Sequence, residues 1–97
     1  MKVDFNKAIK DYQGNDMKNP ETKEAQSFKD VICARLFSAG DLSAEEKYDA
    51  YKLMVRISPS KAAIEIEDKE SVLIKKVCEK TLTAGAYGQV VELLKGK

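Results

Sequence analysis

The chain predicts an α+β domain, with about four helices packed on a small antiparallel sheet made from an N-terminal hairpin and a short strand near 63–67. Two short runs alternate, Val3 and Phe5 against Lys2, Asp4 and Asn6, and Ile64 and Ile66 against Glu65 and Glu67. Successive side chains of a strand point to opposite faces, so each run has one apolar face. Elsewhere the apolar residues recur at helical spacing. Capping and turn residues bracket those helical runs where helices begin and end.

Taken in order, Lys2–Asn6 opens as a strand. Ala8, Ile9 and Tyr12 would also suit a helical turn, but Gln13-Gly14-Asn15-Asp16 is a strong turn tetrad, because glycine and asparagine tolerate positive φ. The reading is therefore a hairpin whose return begins at Met17. Pro20 ends it, since proline cannot donate to a ladder and biases Asn19 away from helix. Thr22 or Ser27 caps the first long helix, which runs from Glu24 or Phe28 to Ala39 with Phe28, Val31, Ile32, Leu36 and Phe37 spread over more than one face. Gly40 follows as a helix-terminating glycine.

Ser43-Ala44-Glu45-Glu46 is a capping box. It opens a second helix reaching Ile57, with Tyr48, Tyr51, Met54, Val55 and Ile57 expected inward and Ser58-Pro59-Ser60 closing it. After the Ile64–Ile66 strand, Asp68 reads as the N-cap of a third helix over Lys69 to about Thr81. Its stripe is Leu73, Ile74, Val77 and Cys78, continued by Leu82, with Lys75, Lys76, Glu79 and Lys80 on the wet side. Thr83 caps the last helix, which places Tyr87, Val90, Val91 and Leu94 on its apolar face and stops at Gly96. Gly85 and Gly88 in its first turns each cost about 1 kcal/mol against alanine. A close approach by a neighbouring element would explain them.

At 97 residues and 43% apolar the chain is a single globular domain, residues 1–97, with a modest core. With 34% of residues charged and no run near the ~20 apolar residues of a membrane span, no membrane association is expected. The charged start MKVDFNKAIKDY lacks the apolar core of a signal peptide, which places the protein in the cytoplasm. Seventeen basic residues against sixteen acidic ones leave no electrostatic footprint for nucleic acid. Cys33 and Cys78 fall in apolar stripes and read as small buried hydrophobes.

The sequence has no histidine, the commonest general base and metal ligand. Serine or cysteine nucleophiles lack their usual activator, two distant cysteines do not make a zinc site, and no phosphate-cradling GxxxxGK[ST] loop occurs. The carboxylates Glu65, Glu67, Asp68 and Glu70 read as a solvated strand face, a cap and a first-turn acid rather than a cation site. Gly85-Ala86-Tyr87-Gly88 spells the GxxG of a nucleic-acid clamp, but no lysine or arginine lies in or right beside it. No catalytic residue, cofactor or metal site is predicted, and the chain reads as a non-enzyme.

What remains is binding. The helical apolar stripes are wider than so small a domain covers, pointing to a protein partner, a homodimer included. Arg35, Tyr48, Tyr51, Arg56 and Tyr87 are the candidate contact residues, being the aromatic and arginine types that interfaces favour. Lys75, Lys76 and Lys80, with Lys95 near them, are candidate phosphate contacts.

The capped LSAEEKYDAYKL helix, the AIEIEDKESVLIKKV strand and helix and the closing TAGAYGQVVELL helix, preceded by a VDF opening and a turn near Gln13-Gly14, together resemble a family of short proteins encoded in tailed-bacteriophage and prophage genomes. The resemblance covers most of the chain and rests on this pattern and a few residues, chiefly Gly88, Gln89 and Leu94. Ala84-Gly85-Ala86 departs from the bulkier, often proline-containing segment of the relatives. That family has no assigned activity, so no site residues carry over. The resemblance implies a viral origin, the host bacterial cytoplasm and a non-catalytic accessory role by protein binding, inhibition of a host defence or host enzyme being a natural case. The alternatives are a virion structural or assembly component and a weak nucleic-acid binder.

Overall fold

The computed structural model describes residues 1–18 and 21–95; the expected stops at Pro20 and Gly96 lie outside the described residues. Four helices pack on a two-stranded antiparallel sheet, in the order β1 (Lys2–Val3), α1 (Phe28–Ser38), α2 (Ala44–Ile57), β2 (Ile64–Glu65), α3 (Asp68–Glu79) and α4 (Ala84–Leu94). β1 and β2 pair with Lys2 opposite Glu65 and Val3 opposite Ile64. Val3, Phe5, Ile32, Leu53, Ile57, Ile66, Ile74, Cys78 and Val90 form the centre of one core.

The opening strand is shorter than its alternation suggests. The Asp4 carboxylate accepts hydrogen bonds from the main-chain N–H of Asn6 at 2.9 Å and from its side-chain amide at 3.0 Å, an aspartate turn that bends the chain after Val3. Phe5 still reaches the core. The turn tetrad does reverse the chain, with Gly14 at φ +86° and the Asp11 carboxylate accepting from the N–H groups of Gln13 and Asn15.

The arms of that turn do not join the β1–β2 sheet. They form a closed three-way junction instead: Ile9 N–H donates to the Gln26 carbonyl, Gln26 N–H to the Met17 carbonyl, and Met17 N–H to the Ile9 carbonyl. Three segments thus satisfy one another's polar backbone without a ladder, and Ile9 is buried among them.

Because Gln26 is held in that junction, α1 starts late, at Phe28, with the Ser27 hydroxyl accepting from Asp30 N–H. Its end differs from expectation. Ala39 is extended rather than left-handed, and Gly14 is the described glycine with positive φ, so Gly40 does not act as a left-handed cap.

In α2 the capping box of Ser43 and Glu46 forms as expected, and Ile57 and Met54 turn inward as expected, but the helix is rotated so that Tyr48, Tyr51 and Val55 do not. Ala50, Leu53 and Ile57 are buried, Met54 is half-buried, and Tyr48, Tyr51 and Val55 face outward. Two apolar stripes compete on this helix, and Ala50–Leu53–Ile57 is the narrower one that lets α2 sit close to its neighbours.

At α3 the cap is Glu67 rather than Asp68, which is the first helical residue. The Glu70 carboxylate reaches back to the Glu67 N–H at 2.9 Å. The helix ends at Glu79, where the Thr81 and Leu82 N–H groups fold back onto the Cys78 carbonyl. Thr83 caps α4 through Ala86 N–H, and Leu93 joins Val90 and Leu94 in the core. No atom approaches within 4 Å of a Cβ built on Gly85 or Gly88. A close neighbour therefore does not explain these glycines.

Candidate functional site

The outward face of α2 is the part of the molecule least accounted for by folding. Tyr48, Tyr51 and Val55 recur three and four residues apart, so they stand in one row along the helix. They lie opposite Ala50, Leu53 and Ile57 and are 62%, 56% and 47% exposed. Lys52 leans over the Tyr48 ring at 4.7 Å from its centroid and also meets Asp49 at 3.5 Å. The face is thus a strip of apolar and aromatic surface with the Lys52 ammonium and the Asp49 carboxylate at its margin.

Phe37 is 78% exposed on α1. The Lys29 ammonium donates to the carbonyl of Ser60, just past α2, which ties the start of α1 to the end of α2. The apolar residues of α1 were expected to spread over more than one face, and the register of Phe28, Ile32 and Leu36, four residues apart, leaves Phe37 outside. The register of Ala50, Leu53 and Ile57 likewise leaves Tyr48, Tyr51 and Val55 outside.

The other candidate residues are distributed elsewhere. Arg56 clamps the end of α2 to β2 and α3, donating to the Glu65 carbonyl and the Glu70 carboxylate. Tyr87 is half-buried on α4, packed against the core. Arg35 lies apart from the tyrosines, between α1 and the α3–α4 turn. The structure therefore brings Tyr48 and Tyr51 together and separates them from both arginines and from Tyr87.

The lysines are also divided. Successive residues of a helix are roughly 100° apart, so Lys75 and Lys76 leave α3 in different directions. Lys76 pairs with Glu46 at 2.8 Å, and Lys80 lies 3.9 Å from Asp41. The Lys76 ammonium, and then the Ser43 N–H, hold the Glu46 carboxyl below the usual glutamate range. The groove between α2 and α3 is lined by such paired charges.

Both cysteines are free thiols. Burial raises the Cys33 thiol and pushes Cys78 up to about 11, so neither is poised as a thiolate. Among the described residues, no group of three or more cysteine, aspartate or glutamate side chains is placed to hold a metal ion, and no helix is long and apolar enough to cross a membrane. No model of a known protein family matches the chain, and no curated protein or solved structure is significantly similar to it.

Proposed function

We propose that this chain is a non-catalytic binding protein that acts by covering a surface of another protein with the outward face of α2. The observation that supports this is the row of Tyr48, Tyr51 and Val55, largely exposed on a helix whose opposite face already fills the core. Tyrosine contributes large contact area with few rotatable bonds to freeze, and interfaces are enriched in it. The partner matched to this strip offers an apolar surface edged with carboxylates, which would meet Lys52 at the margin.

The resemblance to phage and prophage proteins makes the host cytoplasm the setting of this proposal. A host defence protein or host enzyme is then the class of target, inhibited by occlusion.

The test is affinity capture from infected or induced host cells with the wild-type chain and a Tyr48→Ala/Tyr51→Ala/Val55→Ser variant, each first shown to be folded by circular dichroism. The expected result is a near-stoichiometric partner that the wild type retains and the triple variant loses, while a Lys95→Ala control keeps it. Equal recovery by wild type and triple variant removes α2 from the interface. Incorporation into purified virions, unaffected by the triple substitution, would favour the structural alternative.

A further inference from the structure

Among the described residues Arg35 enters no ion pair, and its Nε–H is buried with nothing to donate to. Guanidinium does not discharge at any pH a protein tolerates. A buried, unsatisfied donor on a permanent charge is among the costlier arrangements a fold can hold. The other arginine, Arg56, has two partners.

The side chain lies at the junction of two clefts. The larger, about 570 Å³, is lined by α1, by Met17, Thr22 and residues 24–26, and by the α3–α4 turn, and the smaller, about 250 Å³, by the α1–α2 link and the end of α3. The larger one falls within the size range of small-molecule sites. Ile9, Val31, Leu82 and Ala86 give it apolar walls, Thr83 adds a hydroxyl, and Glu24 and Asp30 also border it. Thr83 and Ala86 belong to the start of α4, whose first turn carries no acidic residue to offset its positive end.

We infer that this cleft is a binding site for a monocarboxylate with an apolar body, held through Arg35. The edge of a guanidinium that contains Nε presents two parallel N–H donors, Nε–H and one Nη–H, which match the two oxygens of a carboxylate. The orphaned atom is Nε, which is covered in this structure, so the guanidinium must turn toward the cleft for that edge to meet a planar two-oxygen acceptor. Glu24 and Asp30 among the lining residues oppose any anion, a doubly charged phosphate more strongly than a single carboxylate, while the apolar walls suit a short hydrocarbon chain. The inference is independent of the α2 face.

Such a carboxylate has two sources, a free organic acid or the C-terminal end of a polypeptide, and one experiment separates them. The two arginines contribute two Nε–Hε signals to a ¹⁵N correlation spectrum, so Arg56 serves as an internal reference within the wild-type chain and no variant need fold. Titration at constant ionic strength uses sodium butyrate, N-acetylleucine, sodium phosphate and sodium chloride.

The expected result is a saturable shift of the Arg35 signal with butyrate or N-acetylleucine, at least tenfold tighter than with phosphate, while Arg56 stays fixed. N-acetylleucine binding tighter than butyrate assigns a polypeptide end, and the reverse order a free acid. Arg35→Lys, if folded, abolishes the saturable shifts of the Val31 and Ala86 amides. Equal, unsaturable drift of both arginine signals overturns the site, and phosphate binding tightest overturns its assignment to carboxylates.

Discussion

Gln89 grips the main chain of Lys10 with both ends of its side-chain amide: its Oε1 accepts from the Lys10 N–H at 2.8 Å and its Nε2 donates to the Lys10 carbonyl at 2.7 Å. One side chain of α4 thereby completes the hydrogen bonding of a residue 79 positions away. It does for the N-terminal turn what a neighbouring strand would have done. Gln89→Ala removes two hydrogen bonds, each worth about 1 kcal/mol net, and is expected to lower unfolding stability by about 1–3 kcal/mol in urea titration. Gln89→Glu keeps the acceptor but loses the donor and sets a carboxylate against the Lys10 carbonyl, so it should not rescue. A Gln89→Ala chain as stable as the wild type would show that the turn is not anchored through this amide.

Gly85 and Gly88 lie in α4, with open space where each Cβ would stand. Alanine there keeps a helical backbone and reduces the freedom of the unfolded chain. Gly85→Ala and Gly88→Ala are each expected to stabilise by about 0.5–1 kcal/mol, read as a higher urea midpoint at unchanged slope. Gly14→Ala should do the reverse, because φ +86° strains any residue with a Cβ.

The parts of the fold legible in the sequence are those fixed by local chemistry. Ser43 with Glu46, Thr83 before α4, the Gly14 turn and the spacing of Leu73, Ile74, Val77 and Cys78 each depend on residues within a turn or two of one another, and each forms. What local pattern did not determine was the choice between equivalent options. α2 has two apolar stripes, and only the tertiary packing selects Ala50, Leu53 and Ile57 over Tyr48, Tyr51 and Val55. The three-way junction of Ile9, Met17 and Gln26 joins segments with no shared periodicity, and the Gln89 anchor spans nearly the whole chain. Of the candidate contacts, Tyr48 and Tyr51 were legible by residue type, but their grouping with Val55 on the outward face required the register of α2.

Which face of α2 is buried is directly measurable. Leu53→Ala empties a fully enclosed site and is expected to cost about 2–5 kcal/mol. Tyr48→Ala and Tyr51→Ala remove exposed rings and should each stay within about 1 kcal/mol of the wild type. The opposite ranking would restore the tyrosines to the core and leave the proposed interface without a basis.

The Glu46–Lys76 pair joins the start of α2 to α3 and makes stability depend on pH with a definite sign. The Glu46 carboxyl is lowered in the folded chain, first by the Lys76 ammonium and then by the Ser43 N–H. The unfolded chain therefore binds this proton at higher pH than the folded one, and the pair's contribution is present above the ordinary glutamate value of about 4.3. It disappears as pH falls through the lowered folded value. The wild type should exceed Glu46→Gln in stability near neutrality, and the two should converge in acid. A constant offset across the range would mean that the substitution acts through something other than the proton.

Cys33 and Cys78 allow the core to be probed without perturbing it. Cys78 lies in the α3 stripe that packs the centre, and burial pushes its thiol up to about 11. Cys33 is also raised but only half-buried. A disulfide reagent at pH 8 is attacked by the protein thiolate, so Cys33 should react first, at a slow but measurable rate, and Cys78 only when the core opens. In a Cys33→Ser chain the remaining thiol should label at a rate that rises with urea in parallel with the global unfolding constant. If Cys78 is labelled in the native chain as fast as Cys33, the α3 stripe opens locally and the core is not a single cooperative unit.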